Sequence, residues 1–594
     1  MEYRWVRKKI DNLNTVKKLA ADLKVDENIA KLLFQRGITN LQEAKDFFRP
    51  DLKKLHDPFM MKDMNKAVER IEKAIINNEK ILIYGDYDVD GTTAVALVYS
   101  FFSQFTDKSP LIDFYIPDRY NEGYGISYKG IDFAKKNNFT LVIALDCGIK
   151  ANEKINYAST QNIDFIICDH HLPGENIPNA YAVLDPKQPD CKYPYKELSG
   201  CGVGFKLVQA FAIKNNIDFS IIENYLDLVT VSIASDIVPI TGENRIIAFY
   251  GLKQINTKPR PAIEAILKYS NVKRKTEEDK NEPCIISDSI FSKDVTINDL
   301  VFLVGPRINA AGRISEGKFA VELIIEKKPE QINNLAEIIN ITNNERKILD
   351  SSATDEALKL IETDSFLKNS KSSVLLNEKW HKGIVGIVAS RLTETYYRPT
   401  IVCTKSNDII TGSARSVKDF DIYTAIEYCS DLLLAFGGHK FAAGLSLKPE
   451  NFEKFKLKFE KYVSENITED MLTPQIEIDL EINLKDITPK FYRILKQFAP
   501  FGPGNLSPVF HTRNVYDEGF ARIVGLNHLK LSVFEESSPL THFDAIAFKK
   551  SEFLFPISNG APFDICYHIE ENTWKGNASL QLNIKDIKIL NTPN

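Results

Sequence analysis

Cysteine is sparse and scattered in this chain. Its eight cysteines, spread over 594 residues, form no paired zinc spacing and no dense framework. A small disulfide-stapled fold and a cysteine zinc site are thereby excluded, and reduced, buried thiols are expected. Membrane-length apolar runs are missing too, and no apolar signal core follows Met1-Glu2-Tyr3-Arg4-Trp5-Val6-Arg7-Lys8-Lys9. These absences argue against a membrane-spanning helix and predict a cytoplasmic protein. Positive charge is not in excess, for the net charge is −5. Averaged over the surface, that balance favours a small-molecule enzyme. Phosphate binding depends on local groups, however, and an acidic metal centre subtracts charges that its cations restore. Internal repeats and low-complexity tracts are also lacking.

What is present is a cluster of acids. Asp86, Asp88 and Asp90 alternate within Asp86-Tyr87-Asp88-Val89-Asp90-Gly91-Thr92-Thr93-Ala94, directly behind the apolar run Ile81-Leu82-Ile83-Tyr84. Adjacent carboxylates repel and raise each other's pKa unless a cation neutralises them, and hard divalent ions prefer oxygen ligands. The competing reading is a solvated turn whose aspartates cap a helix starting near Thr92.

The same design recurs. Leu141-Val142-Ile143-Ala144-Leu145 ends in Asp146-Cys147-Gly148, and Ile163-Asp164-Phe165-Ile166-Ile167-Cys168 ends in Asp169-His170-His171. Val229-Thr230-Val231-Ser232-Ile233-Ala234-Ser235 ends in Asp236. Such runs, alternating with helical stretches, predict strands of a parallel sheet buried on both faces. Sites in open α/β sheets form beyond the carboxyl ends of the strands, so the four segments are expected to converge. Several aspartates with one or two histidines make a metal centre. Imidazole beside carboxylate suits manganese or another transition ion, and the carboxylate majority also allows magnesium.

The length predicts about three or four domains. Residues 1–75 read as a helical segment, 76–255 as an α/β domain, 256–369 as a helical connector and 370–465 as a second α/β domain. Within the connector, the charged stretch 273–282 reads as an exposed loop, and a long helical pattern runs from Gly317 to Leu367. Over 466–594, alternating runs such as Gln475-Ile476-Glu477-Ile478-Asp479-Leu480 and Leu580-Gln581-Leu582-Asn583-Ile584-Lys585 predict half-buried strands of a small β-barrel.

The Asp-x-Asp-x-Asp-Gly-Thr-Thr-Ala motif, the Asp146-Cys147-Gly148 turn, the Asp169-His170-His171 triplet and the Ser235-Asp236 pair resemble the four motifs of the DHH phosphoesterase superfamily. Gly437-Gly438-His439-Lys440-Phe441-Ala442-Ala443-Gly444 resembles the signature of its associated second domain. Length and the segments 116–125, 305–313, 380–389 and 498–505 are similar to the superfamily's bacterial branch of single-stranded-DNA exonucleases, over nearly the whole chain.

The resemblance implies an α/β fold: a parallel-sheet DHH phosphoesterase domain, a smaller α/β DHH-associated domain joined by a long helix, and a C-terminal OB-type β-barrel. It implies 5′ to 3′ degradation of single-stranded DNA to mononucleotides by two-metal hydrolysis of phosphodiesters, with Mn²⁺ or Mg²⁺, in DNA repair and recombination. By motif position, Asp88, Asp90, Asp146, His170 and Asp236 are the expected metal ligands, with Asp146 as the bridge. Asp86 would bind an ion directly or through water, since relatives outside this branch carry a histidine where Tyr84 stands. His171 is expected to contact the scissile phosphate or protonate the leaving group, and Asp169 to support a histidine. Arg119, Arg307, Ser413, Arg415, Gly438 and His439 match phosphate and DNA contacts, with Arg313 an alternative to Arg307. A narrow passage between lobes would admit only an unpaired strand, and Tyr120, Tyr124, Phe498 and Phe501 either stack on bases or pack in the core. Partners implied are single-stranded DNA, a single-strand-binding protein and a helicase, for a monomer away from membranes. Two alternatives are a superfamily phosphoesterase acting on short RNA, cyclic dinucleotides or pyrophosphate, and a noncatalytic DNA-binding scaffold. The large C-terminal β region opposes the first, and the complete set of ligands the second.

Overall fold

Five apolar runs pair into one sheet in the computed structural model, which describes residues 2–105, 111–276, 288–314, 316–406, 408–574 and 577–590. Strands β1 (Lys80–Gly85), β2 (Ile112–Tyr115), β3 (Phe139–Leu145), β4 (Asp164–Cys168) and β5 (Ala182–Leu184) stand in the order β2-β1-β3-β4-β5. All neighbours are parallel. Unbroken Ile/Leu/Val runs suit burial on both faces: Ile81 and Ile83 enter one core, Leu82 and Tyr84 another. The strand order reverses between β1 and β3, and at such a switch point a crevice opens beyond the strand ends.

Helices α1 (Val89–Phe102), α2 (Gly200–Lys214), α3 (Leu226–Ser235) and α4 (Gly242–Thr257) pack in the first of these cores. The run ending at Asp236 is therefore a helix, α3, and not the expected strand. It contacts α1, α2 and α4, so it is apolar nearly all round, and a short run of that kind has no periodicity that separates helix from strand.

The chain forms two compact units, one of residues 7–340 with 478–594, the other of residues 1–6 with 341–477. In the first, β6 (Phe510–Asp517), β7 (His528–Glu535), β8 (Ser538–Ala547), β9 (Phe563–Trp574) and β10 (Asn577–Ile589) close a barrel in the order β6-β7-β8-β10-β9 and back to β6. Only β8 and β10 are parallel neighbours in it. This is an OB-type barrel. Its core includes Leu531, Ala545 and Leu582, together with Val16, Leu33 and Ala44 from the helices Leu13–Leu23, Glu27–Phe34 and Leu41–Phe48. Gln475–Ile478 lies outside the barrel and pairs with Arg4–Arg7.

The second unit holds a five-stranded sheet in the order Leu433–His439, Ala442–Leu447, Ile409–Arg415, Thr400–Ser406, Ser373–Leu376, parallel only in the last pair. Helix Val385–Tyr396 packs through Val388 and Leu392 with Val402, and helix Phe452–Asn466 through Phe455 and Phe459 with Ile401. The boundary between units falls within the 35-residue helix Pro329–Thr363. Of the charged stretch 273–282, Lys273 and Arg274 are exposed, and the part from 277 lies outside the described residues. All cysteines among the described residues are free and buried. Among those residues no helix is long and apolar enough to cross a membrane.

Candidate metal centre

Strand and helix ends deliver the acids to one place. Asp86 follows β1, Asp146 follows β3, and Asp169-His170-His171 follow β4. Asp88 caps α1, Asp90 lies in its first turn, and Asp236 stands at the carboxyl end of α3. His170 is at the centre, its Nε2 3.2 Å from Asp146 Oδ1, 3.6 Å from Asp236 Oδ2 and 3.7 Å from Asp90 Oδ2. Two overlapping sets, Asp146-His170-His171 and Asp90-His170-Asp236, each bring ligand atoms within 4.8 Å of one another. Asp86 Oδ2, Asp146 Oδ1 and both ring nitrogens of His170 are buried with no hydrogen-bond partner. Buried polar atoms left unpaired are costly. Oxygens and an imidazole orphaned together fit a divalent cation.

Local backbone geometry explains the placement. Asp90 is gripped by the amino end of α2: Gly200 N donates to its Oδ2 at 2.7 Å, and Cys201 N and Ser232 Oγ donate to its Oδ1 at 2.7 Å each. The positive end of a helix suits that charge. A Cβ on Gly200 would lie 2.6 Å from Asp146 Cβ, so only glycine lets α2 approach both acids. Asp146 itself is left-handed, with φ 58°, a conformation in which Asp is enriched. The small-residue run Ser199-Gly200-Cys201-Gly202 was the sequence signal for this grip.

The acids strain one another electrostatically. Burial, then the charge of Asp88, holds the Asp86 carboxyl well above the usual range. Burial and Asp90 push up Asp88, and push Asp236 to about 8. Asp146 is raised by burial and then by Asp90, Asp88, Asp236 and Asp86, so its charge is coupled to all four. Bound cations would relieve this repulsion.

The two histidines are held in opposite states. Burial lowers the pKa of His170, against the charge of Asp90, which favours the neutral ring that binds metals. Burial also acts against protonated His171, but it is outweighed by Asp169, whose Oδ1 accepts from His171 Nδ1 at 2.7 Å, and the pKa rises to about 9. Burial of Asp169 is in turn outweighed by the bond and charge of His171, with Ile149 N donating to its Oδ2 at 2.9 Å, and its pKa falls to about 2. Asp169 therefore supports the ring of His171 and not that of the central ligand. Divergent pKa values in neighbouring groups mark divided roles.

Aromatic and basic groups flank the acids. Tyr124 donates its hydroxyl to Asp146 O at 3.1 Å and lies 3.3 Å from His171 Nε2. The Arg119 guanidinium stacks over Tyr87 at 4.8 Å. Tyr120 donates to the backbone oxygen of Arg313. Sequence reasoning missed Tyr87, Ser232 and Asp185. Asp185 follows β5 as the other acids follow their strands; it is fully buried with Oδ2 unpaired, and burial raises it to about 7.

Two sets of expected residues sit in packed surroundings. Arg307 is 6% exposed, and its guanidinium donates to Leu303 O at 2.8 Å, Tyr269 O at 3.1 Å and Asn340 Oδ1 at 3.1 Å. Those bonds tie helices together and engage all three guanidinium nitrogens. Phe498 is fully buried in the core of the barrel, and Phe501, partly buried, packs against that core; for Phe498 the packing alternative holds.

In the second unit, Arg415 donates from Nη1 to Ser413 Oγ at 3.0 Å and from Nε to Ser390 Oγ at 3.1 Å. Burial alone lowers its pKa, so no neighbouring acid neutralises it. A Cβ on Gly386 would lie 3.0 Å from Ser413 Oγ and 3.1 Å from Arg415 Nη2. Register places His439 opposite Ala442 and Ala442 opposite Arg415, while Gly444 faces both Ser413 and Gly437. Ser413, Arg415 and His439 thus share a sheet face, beside the Gly438 backbone.

A doubly covered parallel sheet beyond whose strand ends Asp86, Asp88, Asp90, Asp146 and Asp236 gather with His170, with a second mixed α/β unit, defines a DHH phosphoesterase. The chain matches the DHH family N-terminal domain over residues 80–233, the DHHA1 domain over 369–465 and the RecJ OB domain over 478–586. It is 34% identical over 590 residues to the single-stranded-DNA-specific exonuclease RecJ of Bacillus subtilis (strain 168), covering 99% of this chain and 71% of that protein. The Escherichia coli (strain K12) protein of the same description is 30% identical over 583 residues, with 94% and 95% covered. The chain belongs to the RecJ family. The crystal structure of RecJ in complex with Mn²⁺ from Thermus thermophilus has the same fold, with a TM-score of 0.82 at 23% identity over 100% of this chain and 80% of that one.

Proposed function

We propose that this protein is a metal-dependent exonuclease that degrades single-stranded DNA from its 5′ end to mononucleotides. The observation that carries this reading is the convergence of the Asp90, Asp146 and Asp236 carboxylates on His170 Nε2, with Asp146 Oδ1 and both ring nitrogens of His170 left without a hydrogen-bond partner, in a chain that also carries an OB-type barrel, a class that binds single strands. The description of the RecJ relatives as single-stranded-DNA-specific supports the substrate. Thermus RecJ crystallised with Mn²⁺ and with Mg²⁺ supports the cofactor.

Asp88, Asp90, Asp146, His170 and Asp236 would hold two divalent ions, and Asp146, which feels the charges of Asp90, Asp88, Asp236 and Asp86, is the acid that the motif resemblance would make common to both. Asp86 would serve one ion directly or through water. Such ions polarise a phosphodiester and lower the pKa of water. His171, kept protonated by Asp169, passes its Nε2 proton to the leaving oxygen. Arg119, stacked beside the acids, binds phosphate with its planar fork, with Arg313 nearby, while Ser413, Arg415, Gly438 and His439 hold the strand's backbone. Arg307 would join this set with the N–H groups that its bonds to Leu303, Tyr269 and Asn340 do not engage. The reading extends to a cytoplasmic monomer in repair and recombination, acting on strands opened by a helicase and coated by a single-strand-binding protein.

The test is incubation with Mn²⁺ and single-stranded DNA labelled at either end, beside duplex DNA, short RNA and a cyclic dinucleotide. Mononucleotide release from the 5′ end of single-stranded DNA is the expected result. Preferential cleavage of RNA or dinucleotide, or binding without cleavage, would overturn it.

A further inference from the structure

The segment 498–505, Phe-Ala-Pro-Phe-Gly-Pro-Gly-Asn, is accounted for neither by the metal ligands nor by the barrel strands. It forms a turn closed by Gly502 N to Asn505 O at 3.1 Å and Asn505 N to Gly502 O at 2.9 Å. Two arginines hold it. Arg245 on α4 is 5% exposed, donates to the backbone oxygens of Phe498, Ala499 and Phe47 at 2.9, 3.1 and 3.0 Å, and stacks on the Phe47 ring at 3.8 Å. Arg36 donates to Asn505 Oδ1 at 2.7 Å, and Asn505 Nδ2 donates to Phe498 O at 2.8 Å. With its backbone oxygens bound on that side, the turn is rigid.

Its other side meets the backbone just beyond Asp236. Ile240 N donates to Pro503 O at 2.7 Å. A Cβ on Gly502 would lie 2.5 Å from Ile240 Cγ1, and one on Gly504 2.9 Å from Thr241 Cγ2. Between Asp236 and this contact stands Ile237, with φ 59° and a side chain 64% exposed. A β-branched residue in the left-handed region is an outlier that persists only where the surroundings over-determine it. The exposed side chain of Ile237 cannot supply that constraint. It comes from helix α3 on one side and from the anchored stretch 239–241 on the other, where Asn244 Nδ2 and Tyr195 Oη also donate to Pro239 O at 3.0 and 3.2 Å.

We infer that the 498–505 turn is a positioning brace for Asp236: it holds the strained loop 237–241 and so places the Asp236 carboxylate against His170. The inference rests on the metal-centre reading and adds to it that the C-terminal region acts on metal loading as well as on the strand.

The test is calorimetric Mn²⁺ titration of the full-length protein, with folding checked by circular dichroism and thermal melting. Gly502→Val and the milder Gly504→Ala each push the brace away and should weaken binding at the affected site about tenfold. Adding Ile237→Gly to either should restore most of the affinity, because glycine adopts positive φ without a brace. A merely structural turn would lower the melting temperature with no such rescue. If Gly502→Val does not fold, Gly504→Ala decides alone. Folded variants that bind Mn²⁺ like the parent, or a loss that Ile237→Gly leaves unchanged, overturn the brace. A parent protein that binds no Mn²⁺ overturns the metal centre and the brace with it.

Discussion

Asp169→Asn separates the two histidines by a measurement of pH. The substitution keeps the shape of the side chain but removes the charge 2.7 Å from His171 Nδ1. Burial by itself pushes the His171 pKa down, and Asp169 supplies the bond and charge that lift it to about 9. Without that charge the pKa should fall to the ordinary ~6.5 or below. In the proposed reaction His171 acts as an acid in its protonated form, so activity should be full below its pKa and be lost as pH rises through it. At pH 8 the protonated fraction is about 90% for a pKa of 9 and about 3% for a pKa of 6.5, a loss of roughly thirtyfold. The assay is kcat/KM for 5′-labelled single-stranded DNA at saturating Mg²⁺ from about pH 6 to pH 10. The alkaline limb, near pH 9 in the parent, should move to or below about pH 6.5, and the variant should recover towards the parent rate at the acid end. Histidine NMR on metal-free protein reads the same shift without turnover. A limb that stays near pH 9, or a variant equally slow at every pH, would refute the assignment of His171 as the proton donor.

Three further outcomes are expected. Asp146→Ala should abolish hydrolysis while DNA binding persists in a filter assay, and near-normal turnover would sink its role between the ions. Arg415→Ala removes charge-assisted bonds worth about 1.5–3 kcal/mol, so KM for DNA should rise roughly ten- to a hundredfold while calorimetric Mn²⁺ binding stays unchanged. Arg245→Met leaves the oxygens of Phe47 and Ala499 unpaired in the interior and takes one of two donors from Phe498 O, and urea unfolding should show a loss of about 3 kcal/mol; a loss below about 0.5 kcal/mol would show that the turn does not need it.

How far the sequence could be read depended on whether the deciding contacts were local. The ends of β1, β3 and β4 were legible because unbroken apolar runs behave alike wherever both sheet faces are covered. The stretch before Asp236 is apolar for a different reason, being a helix enclosed by other helices, yet it still delivers its acid to the same centre: the end of a buried element matters more than its type. The capped-turn and metal readings of the first motif were not true alternatives, since Asp88 Oδ1 accepts from Gly91 N at 3.0 Å while its neighbour Asp86 keeps an oxygen unpaired. The surroundings of Arg307 and Phe498 were illegible because most of their partners are remote. Arg307 donates to Tyr269 and Asn340, and Phe498 sits edge-on to Phe47 and Phe48 at 5.4 Å, more than four hundred residues away in the chain. A motif shows which residues carry charge or hydrogen-bonding groups, whereas only the folded chain shows which of those groups are already satisfied. By that criterion Arg307, with all three guanidinium nitrogens engaged, helps to hold the framework. Asp86, Asp146 and His170, gathered at the strand ends with buried atoms left over, are the residues free to hold the ions we propose.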